Sequence, residues 1–445
     1  MHRIQIYLKE SGVLCQDQTA YLYGKDTSIG SMHILNALET LQEFQSELFM
    51  SSWDFKTAFD SVTRPLLVYG GIRVGIPSEL MSMLVDLDIG GLTILRSPAA
   101  LESLNKQSNF RLIDLGFSAQ IGTGQGGVEG PLSWDFVIDI LLVALRDTKL
   151  KDQFWTRDSL GVNRPTRDQT FADDILSICA TQEALQTKCD LVCAFSMITG
   201  IRISREKFRC FHIQNNNAMR PPQLDHLLVR TRRWEESDKI YFQFSGDLKH
   251  LGVLYDIAME NDSQYSKAKS QMETCCAFTS SRHSSSEAKL THTGRSTLMQ
   301  LAYYSKYMNW PKKQWDNLEA ILNKHYRKLT YNLPSFPAKL LNIRRCHGGL
   351  GLQSFTDLVN DNKLRVLHAM MHNSRDTNHD ISSMISRSMS SSGVFCTAES
   401  RCLVKESFDM KDERWWATSL IQYLSLAGVS LVKMESMSTT TQTRQ

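Results

Sequence analysis

The sequence predicts an α+β fold: an antiparallel sheet with helices on one face, followed by a mainly helical region. Three observations predict it. Leu48-Phe49-Met50 leads into Trp53-Asp54-Phe55-Lys56-Thr57-Ala58-Phe59-Asp60, an apolar strand that delivers a carboxylate at its end. Asp173-Asp174, 119 residues after Asp54, sits between the short apolar runs Thr170-Phe171 and Ile175-Leu176-Ser177-Ile178-Cys179, which reads as a hairpin with both carboxylates at its tip. Helical periodicities separate and follow these strands, and beyond residue 258 the pattern is mainly helical.

The elements follow in order. Ser28 to Phe44 reads as a helix on Ile29, Met32, Ile34, Leu35, Ala37, Leu38 and Leu41. Residues 61–96 read as a helix, a break at Gly70-Gly71, and a second helix opening at Pro77. Phe110 to Ile121 is strand-like and runs into Gly122-Thr123-Gly124-Gln125-Gly126-Gly127. Pro131 to Asp147 is apolar nearly all round, as a buried helix should be, with Asp139 marking its less buried edge. A helix from Gln182 to Thr199 has Thr181 as N-cap and Gly200 as its stop. A short strand, Ile201-Arg202-Ile203, leads to Lys207. Lys239 to Phe244 and His250 to Tyr255 read as a strand pair around Ser245-Gly246-Asp247. Serine-rich stretches at 279–286 and 382–392 and the tail from Ser436 read as flexible. The expected division is a lead-in at 1–45, the sheet domain at 46–257, a helical region at 258–378 and a polar, partly flexible region at 379–445.

A chain of 445 residues can bury a real core, and its 42% hydrophobic and 22% charged residues are ordinary for a globular protein. The net charge of +3 does not argue for nucleic acid, but its distribution does: residues 301–350 hold nine Lys or Arg against only Asp316 and Glu319. A solvated helix face is the plainer account of the same pattern. The ten cysteines show neither a disulfide framework nor zinc-ligand spacing, which favours a reducing compartment. The N-terminus carries charges where a signal peptide needs an apolar core. The longest apolar run, Phe136 to Leu145, contains Asp139 and is too short for a bilayer, so no membrane partner is expected.

Carboxylates brought together repel unless cations separate them, and hard divalent ions prefer such oxygen ligands. Two such ions roughly 3.5–4 Å apart can clamp the attacking and leaving oxygens of a phosphoryl transfer. Metal-dependent nucleotidyl transfer is therefore the first hypothesis. A lone Asp-Asp turn is more often only a polar turn. The glycines of 122–130 are no P-loop, because no Gly-Lys-Ser/Thr follows.

Together these segments carry a resemblance. Residues about 18–256 resemble the palm of reverse transcriptases, most closely those of non-LTR (LINE-type) retrotransposons. Trp53 to Asp60 resembles motif A, Gly122 to Gly126 through Gly130-Pro131-Leu132-Ser133-Trp134 motif B, and Phe171-Ala172-Asp173-Asp174 motif C. Gly200 to Lys207 resembles motif D, and Lys249-His250-Leu251-Gly252-Val253 resembles motif E, the primer grip. Gly348-Gly349-Leu350-Gly351-Leu352 resembles a signature that follows the thumb in these elements.

The resemblance implies a right-hand polymerase palm followed by a helical thumb, and a role for each matching position. Asp54 and Asp173 would coordinate two Mg2+ ions (Mn2+ as substitute), Asp174 would complete the carboxylate set, and the Phe55 carbonyl would be a backbone ligand. Phe59 would block a ribose 2′-hydroxyl, making deoxynucleoside triphosphates the substrates. Gln125 and Gly126 would line the nucleotide and template side. Lys207 would protonate the leaving pyrophosphate or offset its charge. Leu251 and Gly252 would hold the primer end, with Ala172 beside it. The partners would be an RNA template and a DNA primer, and a working element would act at nuclear DNA.

Departures from the family pattern are the extra residues Gly127 to Glu129 in motif B and Ser204 where these elements often carry Asn. No clear finger motifs precede motif A, so the chain is expected to be an N-terminally truncated fragment. The rival readings are a catalytically inactive remnant that folds or binds RNA only, and an RNA-directed RNA polymerase, against which Phe59 argues. An intron maturase would need a dedicated RNA-binding helical domain that the sequence does not reveal.

Overall fold

The computed structural model describes residues 2–22, 25–44, 47–89, 93–94, 116–117, 122, 129–148, 153–157, 163–214, 226–230, 237–243, 246–256, 262–373, 380–381, 383–385, 387 and 415–426. The chain divides into two compact units. The first comprises Met1–Gly30, Phe44–Trp155 and Pro165–Ser245, and the second Ser31–Glu43, Thr156–Arg164 and Gly246–Gln445.

In chain order the first unit holds α1 (His2–Ser11), the start of α2 (Thr27–Phe44), β1 (Glu47–Trp53), α3 (Arg64–Arg73), α4 (Ser78–Ile89), α5 (Glu129–Asp147), β2 (Gln169–Phe171), β3 (Asp174–Cys179), α6 (Gln182–Thr199), β4 (Arg209–Gln214), β5 (His226–Val229) and β6 (Asp238–Tyr241). Its main sheet has the order β2-β3-β1-β4. Every neighbour is antiparallel, with Phe49 opposite Cys179, Trp53 opposite Ile175, and Ser52 opposite Arg209. The α+β class expected from the sequence is the class observed.

The core lies where α5 and α6 cover this sheet. Trp134, Phe136, Val137, Ile138, Leu141 and Leu142 of α5 join Leu185, Cys189, Val192 and Cys193 of α6 against Trp53, Ile175, Cys179 and Cys210. Burying each large apolar side chain contributes about 1.5–3 kcal/mol. The ends of α6 are fixed by its own residues: the Thr181 hydroxyl accepts from the Ala184 N–H at 3.2 Å, and Gly200 closes the helix at φ 76°.

Several local expectations are corrected. Gly70-Gly71 do not break a helix but lie inside α3. A Cβ on Gly70 would stand 2.7 Å from the Phe136 carbonyl oxygen, so glycine there serves close packing of α3 on α5. Asp139 is not at an exposed edge. It is 1% exposed, pairs with Arg73, and accepts the Cys15 N–H at 2.5 Å. Residues 201–203 form no strand of their own, only a bridge between Ile203 and Phe55. Finally, β6 pairs with β5, and His250 to Tyr255 is not one strand: His250 pairs with Val253 across a turn at Leu251-Gly252.

The second unit contains Ser31–Glu43 of α2, the hairpin β7 (Asp247–His250) and β8 (Val253–Asp256), and then helices. These are α7 (Asp262–Ser281), α8 (Ser286–His292), α9 (Leu298–Ser305), α10 (Lys312–Leu329), α11 (Phe355–Asn373) and α12 (Trp416–Leu426). The serine-rich stretch 279–286 is ordered, as the end of α7 and the N-cap of α8, where the Ser285 hydroxyl accepts from Ala288 N–H at 3.2 Å. Most of 382–392 and the tail from Ser436 lie outside the described residues. Helix α10 buries Trp315, Leu318, Leu322, Tyr326 and Leu329 and exposes Lys312, Lys313, Lys324 and Lys328, so much of the basic 301–350 stretch is one polar helix face. The Gly348–Leu352 segment folds back on residues 340–343, with Leu350 N–H to Leu340 O at 2.9 Å and Gly351 N–H to Ile343 O at 2.8 Å. Among the described residues no helix is long and apolar enough to cross a membrane.

Candidate active site

Strand β1, an interior strand, runs out at Trp53 and delivers Asp54 just past its end. The next stretch is pinned to residues 202–204: Ser204 N–H donates to Asp54 O at 2.8 Å and Lys56 N–H to Arg202 O at 2.7 Å. In this antiparallel bridge Phe55 and Ile203 are the opposed pair, so the Phe55 carbonyl points away from that ladder. The Phe55 ring is buried, 6.0 Å from both Trp134 and Phe195. The same pinning places Lys207. Its turn closes on Ser204, and its Nζ donates to Asp54 Oδ2 at 2.7 Å.

Strand β3 lies beside β1, so the β2–β3 hairpin brings its acids to the same end of the sheet. Phe171 pairs with Asp174, which leaves Ala172-Asp173 as the two-residue turn and Asp174 as the first residue of β3. Ala172 has φ 58°, a left-handed conformation that costs a non-glycine residue about 1–2 kcal/mol. Such a positive first turn position is where a type II′ hairpin favours glycine.

The electrostatics tie the four residues together. Burial, with repulsion from Asp54 added, raises the Asp173 pKa above the ordinary carboxylate value, and Lys207 partly offsets this. Lys207 is raised above its own ordinary value, chiefly by its hydrogen bond to Asp54, with Asp173 and Asp174 adding to it. Asp54 Oδ1 is buried and receives no hydrogen bond. A buried carboxylate oxygen in that condition is one that a cation would satisfy. Among the described residues no group of three or more His, Cys, Asp or Glu side chains has the spacing that holds a metal. The fit to hard cations therefore rests on the donor chemistry of adjacent carboxylates and on the orphaned oxygen of Asp54.

Of the other expected residues, Phe59 lies within this unit, half-buried, its ring 5.7 Å from Trp134. Gln125 and Gly126 lie outside the described residues. The nearby Gly122 donates its N–H to Val62 O at 2.8 Å. Leu251 and Gly252 belong to the second unit, as the tight turn of β7–β8, with φ 49° and 80°. Positive φ at both positions is the type I′ pattern, and the Tyr303 hydroxyl donates to Leu251 O at 3.0 Å.

Sequence reasoning missed two residues that touch the hairpin tip. Trp134 Nε1 donates to Ala172 O at 2.9 Å, and the Gln18 carboxamide meets both polar groups of Ala172. The only signal for Gln18 was its place at the start of the resemblance, in a stretch without helical or strand periodicity.

Among solved structures the chain is similar to apo telomerase from Candida tropicalis, at 11% identity over 85% of this chain and 58% of that chain, with a TM-score of 0.34. The same enzyme in complex with a TWJ fragment of telomeric RNA gives 11% identity, 85% and 55% coverage and a TM-score of 0.35. Telomerase from Candida albicans with a TWJ fragment of telomeric RNA gives 10%, 80% and 52%, with 0.29. Scores of this size mark a distant likeness, and the chain spans little more than half the length of these telomerase chains. The family described as reverse transcriptase (RNA-dependent DNA polymerase) matches residues 4–255, more than half of the sequence, and the chain belongs to that family.

Proposed function

We propose that this chain copies RNA into DNA as the polymerase core of a non-LTR retroelement, adding deoxynucleotides to a primer 3′-hydroxyl. The observation that supports this most directly is the convergence of Asp54, Asp173, Asp174 and Lys207 on one end of one sheet. Asp54, Asp173 and Asp174 would hold divalent ions, Mg2+ or Mn2+, with the Phe55 carbonyl as a further oxygen. Bound there, such ions lower the pKa of the attacking hydroxyl and neutralise phosphate charge. Lys207, exposed to solvent, would leave Asp54 for the departing pyrophosphate and carry its charge or supply a proton. Phe59 would exclude a 2′-hydroxyl, Gln125 and Gly126 would line the nucleotide and template side, and Leu251 and Gly252 would help hold the primer end, with Ala172 beside that end. The exposed lysines of α10 would meet the template–primer backbone, giving weak sequence preference. Target-primed copying of this kind would take place at nuclear DNA.

Extension of a DNA primer along a mixed-sequence RNA template, with deoxy- or ribonucleotides supplied separately, tests the reading. Template-complementary DNA is expected from deoxynucleotides, with little product from ribonucleotides. Efficient RNA synthesis would instead identify an RNA-directed RNA polymerase. Duplex binding without any extension would identify a non-polymerising remnant.

A further inference from the structure

The tip of the β2–β3 hairpin is held from outside its own strands. Residues 17–20 run beside β2, with Thr170 N–H donating to Asp17 O at 3.1 Å and Thr19 N–H to Thr170 O at 2.9 Å. A parallel bridge joins Gln18 to Thr170. This register sets the Gln18 side chain, itself 1% exposed, against Ala172. Gln18 Oε1 accepts the Ala172 N–H at 3.3 Å and the Ala20 N–H at 3.0 Å, while Nε2 donates to Ala172 O at 3.4 Å. Trp134 Nε1 donates to the same carbonyl at 2.9 Å.

The Ala172 carbonyl belongs to the peptide plane whose nitrogen is that of Asp173. Fixing that plane fixes the nitrogen and Cα of Asp173, the point from which its side chain leaves the turn. Ala172 would otherwise relax out of its left-handed conformation, because an alanine there is strained. We infer that Gln18 is a positioning residue for Asp173: with Trp134 it clamps the Ala172 peptide and holds the strained turn in the conformation that presents the carboxylate. Gln18 touches no reacting atom, and its effect on turnover rests on the polymerase reading above.

The test compares the native chain, Gln18→Leu, Gln18→Glu, Ala172→Gly and the double variant Gln18→Leu/Ala172→Gly. Primer extension gives kcat and KM for dTTP, and hydrogen exchange reports on residues 171–174. Gln18→Leu should lower kcat about 100-fold with KM little changed, the size of loss that follows from a catalytic group displaced by about 1 Å. Exchange at 171–174 should rise. Ala172→Gly removes the left-handed penalty, so the double variant should regain about tenfold of the lost kcat and slower exchange. Gln18→Glu keeps the size and the acceptor but loses the donor to Ala172 O; it decides the matter if Gln18→Leu does not fold, and it too should lose kcat. Native kcat and native exchange in a folded Gln18 variant would overturn the inference. If the native chain itself incorporates no nucleotide, the polymerase reading fails. The clamp then stands or falls on exchange alone: faster in Gln18→Leu and slowed again by Ala172→Gly if it is real, unchanged throughout if it is not.

Discussion

Lys363 is fully buried, with its Nζ donating to Met308 O at 2.9 Å and to Ser419 Oγ at 2.7 Å and lying over the rings of Trp315 and Trp416 at 6.0 and 5.5 Å. Burial pushes its pKa down to about 7, with the Glu39 carboxylate opposing the shift. The folded chain therefore gives up a proton that the unfolded chain keeps up to the ordinary lysine range. Stability from this site is complete above that range, falls as pH drops toward 7, and is at its lowest below it. Lys363→Met removes the titration. Chemical unfolding from pH 6 to 9 should show the native chain gaining about 2–3 kcal/mol relative to this variant. Parallel curves would mean that Lys363 stays charged in the fold. The exposed Lys207 is the opposite case. Its ion pair with Asp54 is worth at most about 1 kcal/mol, so its interest is its position and not its stability.

At the scale of elements, helix α3 lies against α5 through a glycine face. A Cβ on Gly70 meets the backbone carbonyl of Phe136, which cannot rotate away, whereas one on Gly71 meets the flexible end of Met81. Gly70→Ala should cost about 1–3 kcal/mol of overpacking, more than the roughly 1 kcal/mol that alanine gains over glycine in a helix. Gly71→Ala should cost less. Thermal unfolding of both decides it, and a Gly70→Ala chain at or above the native midpoint would refute the close packing. This glycine pair is also where sequence reading erred most instructively. Two adjacent glycines read locally as a break, and only the approach of α5 from sixty-odd residues away explains them as helix. Helix α6 was legible because Thr181 and Gly200 supply both of its ends locally. The pairing of β5 with β6 was not legible, since it depends on a partner strand that the alternation of residues 239–244 does not name.

The whole chain divides less simply than its sequence order suggests. Residues 31–43 and 156–164 count with the second unit although the segments around them belong to the first, and the β7–β8 hairpin groups with the helices that follow it. Runs of composition cannot reveal such a division, because it comes from contacts between distant segments. Motif order marks the carboxylates and Lys207 in the sequence, and it includes Trp134 without its role, while Gln18 acts through backbone atoms of another residue and leaves no pattern of its own. The central claim is that these carboxylates make the chain a metal-dependent polymerase. Its most direct test is dTTP incorporation on a poly(rA)–oligo(dT) duplex with Mg2+ or Mn2+, using the full chain beside Asp173→Asn. The account predicts incorporation by the native chain and loss of at least about 100-fold in the variant, with fold and duplex binding retained. Equal incorporation by both chains, or none by a folded native chain that binds the duplex, would contradict it.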